Sequence, residues 1–421
     1  MPNLIRGVYG ITHGCDPEVF LSVETGKLRK RRAVLCSDVL IPKGGLKAGA
    51  NGSVVRDGVQ VELHPTANLC RASHSFYLKE CFATLRAAVA KKRLTQGFET
   101  LQVDFRPVVR LTPTDLLKMD PDARRLGCLP SKNAYGRKHI EKDGNKYPIR
   151  SASGHIHMGT TLLNNTVHNV NPDRLAQVLD VLLGNTCVLI DRDPLAAVRR
   201  KVYGRAGEYR TPPHGFEYRT LSNFWLRDYK LFSFVMAMSK LAGYVVQGEV
   251  VKHYYKDETI WDAEQALMKD VDLSLIEQAI NTNDLVLAQS NYERWVRPFL
   301  ADITFGIGVD STNIHAFDHF LARMREHEAA GKDGLSYWFP QTDIVDHWAF
   351  KPDGHGTGWE SFMAGAVQQD MARVPQVTGV VTTPIVAPNA YGRTFPLPEG
   401  EPRPGIWNGV AGNARIGARI V

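Results

Sequence analysis

The chain has 421 residues, of which 43% are hydrophobic, so it can bury a large core and is not a polar, disordered polymer. A formal net charge of +7, from 51 Lys and Arg against 44 Asp and Glu, is modest for this length and argues against a nucleic-acid-binding tail. Six cysteines without Cys-x-x-Cys spacing exclude a disulfide framework or a zinc ribbon. With no charged-then-apolar leader and no uninterrupted apolar run near ~18 residues, the expectation is a reduced protein of the cytoplasm that makes no membrane contact.

Residues 5–65 are expected to form several antiparallel strands with Gly-rich turns. Within them, Gly14–Leu21 alternates acidic and apolar residues, which puts Asp16 and Glu18 on one face of a strand. Val59–Pro65 repeats the design, with Glu62 and His64 on one side and Val61 and Leu63 on the other. The basic runs Lys27–Arg32 and Lys91–Arg93 are expected to be solvated faces. The next element is a helix over 68–94, capped by Asn68 or Ser73, with Phe76, Leu78, Cys81, Leu85 and Val89 inward. Strand signals return at 101–110, and 119–150 is rich enough in Gly, Pro, Lys and Asn to form one long loop that would cover a site.

The segment Gly154-His155-Ile156-His157-Met158-Gly159 follows. Two histidines at i and i+2 point to the same side of a strand, where imidazoles serve as metal or phosphate partners. Pro172–Leu189 is expected to be a helix capped by Asn171, with Leu175, Val178, Leu179, Leu182 and Leu183 inward. After a basic, Gly-containing loop over 192–210, Glu217 and Arg219 share one face of a further strand, offering a cation ligand beside a bidentate fork. Residues 224–246 are apolar enough for a buried helix, and 262–329 are largely helical. From about 335 onward periodicity fades into a loop-rich region that ends in an extended tail, and the scattered Asp343, Asp346, His347 and His355 are read as unrelated to one another. The division expected is a catalytic domain over 1–330 and a C-terminal extension over 331–421.

The ordered set Gly14-Cys15-Asp16-Pro17-Glu18, Val61-Glu62-Leu63-His64-Pro65, Gly154–Gly159, Tyr203–Arg210 and Glu217-Tyr218-Arg219 resembles the phage carboxylate–amine ligases called COOH-NH2 ligase type 2. That family is similar in turn to the catalytic fold of glutamine synthetase and glutamate–cysteine ligase. The resemblance covers roughly residues 10–230. It implies an α+β fold with a curved antiparallel sheet and helices packed on one face, and an ATP-dependent ligase, phage-encoded and working in the host cytoplasm. By the same resemblance Asp16, Glu18, Glu62, His155 and Glu217 would hold magnesium or manganese. His157 would face the nucleotide phosphates, Arg219 would hold the substrate carboxylate or its phosphate, and Arg205 and Arg210 would offset the charge of the transferring phosphoryl group. Asp16 stands where glutamine synthetases carry a longer Glu, which implies a looser or water-bridged second metal site.

Such a ligase transfers the terminal phosphate of ATP onto a carboxylate, and an amine then attacks the acyl phosphate. Glu208 and Asp193 are both candidates for the base that takes the amine proton. The substrates implied are a free carboxylate, on an amino acid, a peptide, a cell-wall peptide or a protein, and an amine, and an oligomer is compatible with the sequence. Two other classes stand beside the ligase. A metal-dependent hydrolase would use His155, His157, Glu62 and Glu217 but has less need of three converging arginines. A non-catalytic virion or binding protein on the same fold need not keep the whole set of acids and arginines.

Overall fold

In the computed structural model, the residues described are 3–5, 11–25, 31–68, 71–124, 131–138, 147–160, 170–255, 262–305 and 311–334. The C-terminal extension beyond 334, with its Asp343, Asp346, His347 and His355, lies outside them. The fold is α+β. Its sheets are antiparallel apart from the pairing of Asn3–Ile5 with Ile303–Phe305, and none closes into a barrel.

Where one curved sheet is expected, the motif strands divide between two larger sheets. The first runs in the order Lys132–Asn133, Glu208–Arg210, Phe216–Tyr218, Ile156–Thr160, Ile11–Cys15. The second runs Arg31–Leu35, Glu18–Thr25, Gln60–Pro65, Gly52–Asp57, Leu46–Ala48, with Gln102–Asp104 also paired to Glu18–Thr25. The division falls at Asp16-Pro17. Proline has no N–H to continue a ladder, so Pro17 only accepts, from Leu63 N at 3.0 Å, and Glu18 N turns to Ser153 O at 2.8 Å. Asp16 and Glu18 therefore do not share one strand, and Asp16 sits at the step from one sheet to the other.

Each sheet has a helix-covered apolar face. Ile156, Met158, Phe216 and Tyr218 alternate with the polar residues of the motif strands and join the core, against Pro172–Leu179 and Tyr229–Tyr255. The stretch Leu231–Gly248 is long and apolar enough to cross a membrane, and 89% of it is buried inside this protein. Helix Arg71–Arg93 covers the second sheet through Leu78, Cys81, Phe82 and Leu85. Phe76, placed on the inward stripe from the sequence, is 51% exposed because it falls between the buried turns at His74 and Leu78. Ser73 lies inside the helix rather than capping it, and Asn68 pairs with His13 instead. The described cysteines, at 15, 36, 81 and 187, are buried and free.

The expected long loop over 119–150 contains fixed pieces. Lys132–Asn133 adds an edge strand, Tyr135 donates to Asp180 at 2.9 Å, and Arg137 pairs with Glu277 at 2.8 Å. The helix starting at Pro172 widens to a π turn over Asp180–Gly184 before resuming at Asn185. Asp180, in that turn, is fully buried and also accepts from Tyr218 Oη at 2.6 Å. Burial is the main reason its carboxyl is pushed up to about 7, against the pull of its two tyrosine donors.

This has a measurable consequence. The folded state keeps a proton that the unfolded chain loses near pH ~3.9, so the contribution is complete below that pH and is lost as pH rises through about 7. It amounts to on the order of 4 kcal/mol. Unfolding by urea at a series of pH values should show Asp180→Asn lacking this component of the slope. Parallel pH profiles for the two proteins would remove Asp180 as its source.

Candidate active site

Register builds the site. Arg210 pairs with Glu217, Glu217 with His157, and His157 with Gly14, so four neighbouring strands present one row across the sheet. Directly paired residues point to the same face, as do residues two apart on a strand. The next row on that face is therefore Arg219, His155 and Asp16. Gly14 leaves space above itself for the imidazole of its row: a Cβ there would lie 3.2 Å from His157 Cβ.

The two rows converge. Asp16 stands 3.2 Å from His155 Nδ1 and 3.1 Å from His157 Nε2, while Glu217 stands 3.4 Å from His155 Nδ1. Arg210 grips Glu217 with two hydrogen bonds of 2.6 and 2.8 Å, and Arg219 Nε lies 3.3 Å from it. Tyr203 Oη accepts from Arg219 and contacts His155 Nε2 at 2.9 Å. Asp16, His157 and Glu217 each bring a donor atom within 4.8 Å of the others. Yet Asp16 Oδ1, His155 Nδ1 and His157 Nε2 are buried with no aligned hydrogen-bond partner among the described residues. Carboxylate and imidazole donor atoms gathered at contact distance without aligned hydrogen bonds fit a cation that would draw on all of them.

The electrostatics agree. Burial opposes charge on Asp16, but His157 and His155 outweigh it and hold its carboxyl well below the usual range. Burial also opposes charge on Glu217, where His155, His157 and Arg210 prevail and lower it. Burial leads in pushing Glu18 and Glu62 well up, and neighbouring acids add to it. These two face each other in register on the second sheet, outside the three-residue group. Glu18 accepts from Ser153 N at 2.8 Å, and Glu62 from His64 at 2.7 Å. Two crowded carboxylates with raised pKa are what a divalent ion would relieve.

Residues 141–303 match the family described as phage phiEco32-like COOH.NH2 ligase-type 2. The match supports the family that the motifs resemble. Its name is that of a carboxylate–amine ligase, and the matched span holds His155, His157, Arg205, Arg210, Glu217 and Arg219. Asp16 and the strands bearing Glu18 and Glu62 lie outside the ligase-type 2 match, although the pairing of Ile11–Cys15 with Ile156–Thr160 brings Asp16 to the matched histidines. No curated protein matches the chain.

The remaining candidates are not bonded to this cluster through their side chains among the described residues. Arg205 is not among the groups bonded to Glu217, and what fixes its segment is its own carbonyl accepting from Thr220. Both candidate bases are occupied. Glu208 accepts from Gly204 N at 3.0 Å, and Asp193 pairs with Arg227 at 2.6 Å while accepting from Leu195 N. Asp193, held by Arg227, is not poised to take a proton from a substrate amine.

Other residues emerge only in three dimensions. Arg199, fully buried, donates to Ala152 O, Thr220 O, Leu221 O and Ser153 Oγ, tying the entry of the His155 strand to the exit of the Glu217 strand. Gly204 has φ +71° and lies against that guanidinium, leaving no room for a side chain. Tyr203 and His214 contact the two motif histidines from outside. A tyrosine next to a glycine-rich loop and a histidine in a Pro-Pro-His-Gly turn carry no periodic signal that would single them out.

Proposed function

We propose that the chain is an ATP-dependent carboxylate–amine ligase that forms an amide through an acyl phosphate. The observation that carries this reading is the pair of rows Arg210–Glu217–His157 and Arg219–His155–Asp16: guanidinium forks, carboxylates and imidazoles alternate on one sheet face. Phosphoryl transfer needs groups that position a triphosphate and offset its charge, and this composition supplies both. A hydrolase would be served by the metal-type donors alone.

Asp16, His155, His157 and Glu217, with Glu18 and Glu62 alongside, would hold magnesium or manganese, the carboxylates favouring hard cations. Such ions supply charge stabilisation to the triphosphate when bound. The residues themselves act in definable ways. Arg219, anchored by Tyr203 and Glu217, presents a fixed fork to a carboxylate or its phosphate. Arg210, on the more open side of Glu217, and Arg205, nearby in sequence, are assigned to the phosphoryl group. The substrates are a free carboxylate and an amine, one borne by a peptide, cell-wall peptide or protein, in the cytoplasm of a phage-infected cell.

Labelling the substrate carboxylate with heavy oxygen tests the mechanism. One labelled oxygen should appear in the released inorganic phosphate, and nucleotide binding should be tighter in magnesium than in excess chelator. Amide formed with unlabelled phosphate would overturn the acyl-phosphate route, and AMP with pyrophosphate would point to adenylation.

A further inference from the structure

His214 belongs to the turn Thr211-Pro212-Pro213-His214-Gly215, which joins the strands carrying Arg210 and Glu217. The turn is stiff. Two prolines restrict φ, and Gly215 N donates to Pro212 O at 3.0 Å. At Gly215, with φ +149°, a Cβ would collide with Met158 O, so the turn lies directly on the His157 strand.

His214 Nε2 lies 3.1 Å from His157 Nδ1. The ring centroids are 5.4 Å apart and the planes differ by 25°, an edge-to-edge arrangement in which the N–H of one ring points at the lone pair of the other. Meanwhile His157 Nε2 faces Asp16 at 3.1 Å without hydrogen-bond alignment. In a neutral imidazole one nitrogen carries the proton and the other the lone pair, and the hydrogen bond made by the first decides which is which.

We infer that His214 is a positioning residue: it accepts a hydrogen bond from His157 Nδ1–H and so turns the Nε2 lone pair toward Asp16 and Glu217, where a divalent cation would bind. This rests on the reading of that cluster as a cation site and adds to it a residue that never touches the ion. An outer partner that sets a ligand's tautomer typically contributes 10- to 100-fold in metal affinity. His214 would do so from a rigid turn, so the lone pair is directed before the ion arrives.

The test uses the full chain, with manganese alone as the probe and free manganese followed by electron paramagnetic resonance. His214→Ala should weaken manganese binding about tenfold or more. His214→Gln, whose side-chain oxygen can accept from Nδ1, should stay near wild type. In protein labelled with ¹⁵N-histidine, the nitrogen shifts of His157 should show the proton on Nδ1 in wild type and in His214→Gln. In His214→Ala they should show a tautomer mixture. Thermal melts of the same samples separate this from loss of fold. If wild type binds manganese and His214→Ala binds it equally with unchanged His157 shifts, the role of His214 is overturned while the cation site stands. If wild type itself binds no manganese, the site reading and this inference fall together.

Discussion

Replacing Glu217 by glutamine is expected to lower amide formation by about a hundred- to a thousandfold, the range seen when one preorganised charge-stabilising group is removed from an active site. Size and shape are kept, but the charge shared by Arg210, Arg219, His155 and His157 is lost. Because Glu217 is fully buried, the variant also leaves Arg219, itself fully buried, without its carboxylate. The fold is therefore weakened as well, by about 3 kcal/mol as for a broken buried ion pair. Turnover must be compared at a temperature where melting curves show both proteins folded. Full activity in folded Glu217→Gln would assign this strand to structure alone.

The second large effect concerns Arg199→Leu. Its guanidinium holds three backbone carbonyls and one hydroxyl; Thr220 O also accepts from Arg200 and Leu221 O from Gly154 N, so a leucine takes away the donor chiefly from Ala152 O and Ser153 Oγ. An unsatisfied buried acceptor costs about 1–3 kcal/mol, so a loss of at least about 2 kcal/mol is expected from these two groups. Burial, with Arg200 adding to it, lowers the Arg199 pKa to about 10, so the group stays protonated at neutral pH and the loss should be present there. Chemical denaturation at pH 7 gives the number. A change under about 1 kcal/mol would mean that water replaces the guanidinium and that the clamp is not needed.

Much of the site was legible before the fold was known because it is written in period-two alternation. His155 with His157, and Glu217 with Arg219, share a face for that reason alone, and register then brings the two pairs together. The alternation failed at Asp16 and Glu18, since a proline between them moves the chain from one ladder to another. It failed at Phe76 because an offset of two along a helix leaves the buried stripe. The helix from Pro172 was legible from its Asn171 cap and apolar spacing. Its wide turn at Asp180 was not, because the partners that reward it, Tyr135 and Tyr218, come from distant strands. One candidate base illustrates the opposite error. Asp193 has the right chemistry, but Leu195 N and Arg227 already occupy it.

The step at Asp16-Pro17 also has a temporal meaning. Asp16 is near the start of the chain, and its partners His155, His157 and Glu217 come from strands made much later, so the cluster has no local precursor. A growing chain that has not yet reached Phe216–Tyr218 carries the aspartate and both histidines but lacks the carboxylate that completes the group. Contacts of such long sequence separation form late, after the intervening loops have closed. The cluster would therefore come into being only once synthesis has passed its final strand, and an unfinished chain would have no assembled group of acids and imidazoles.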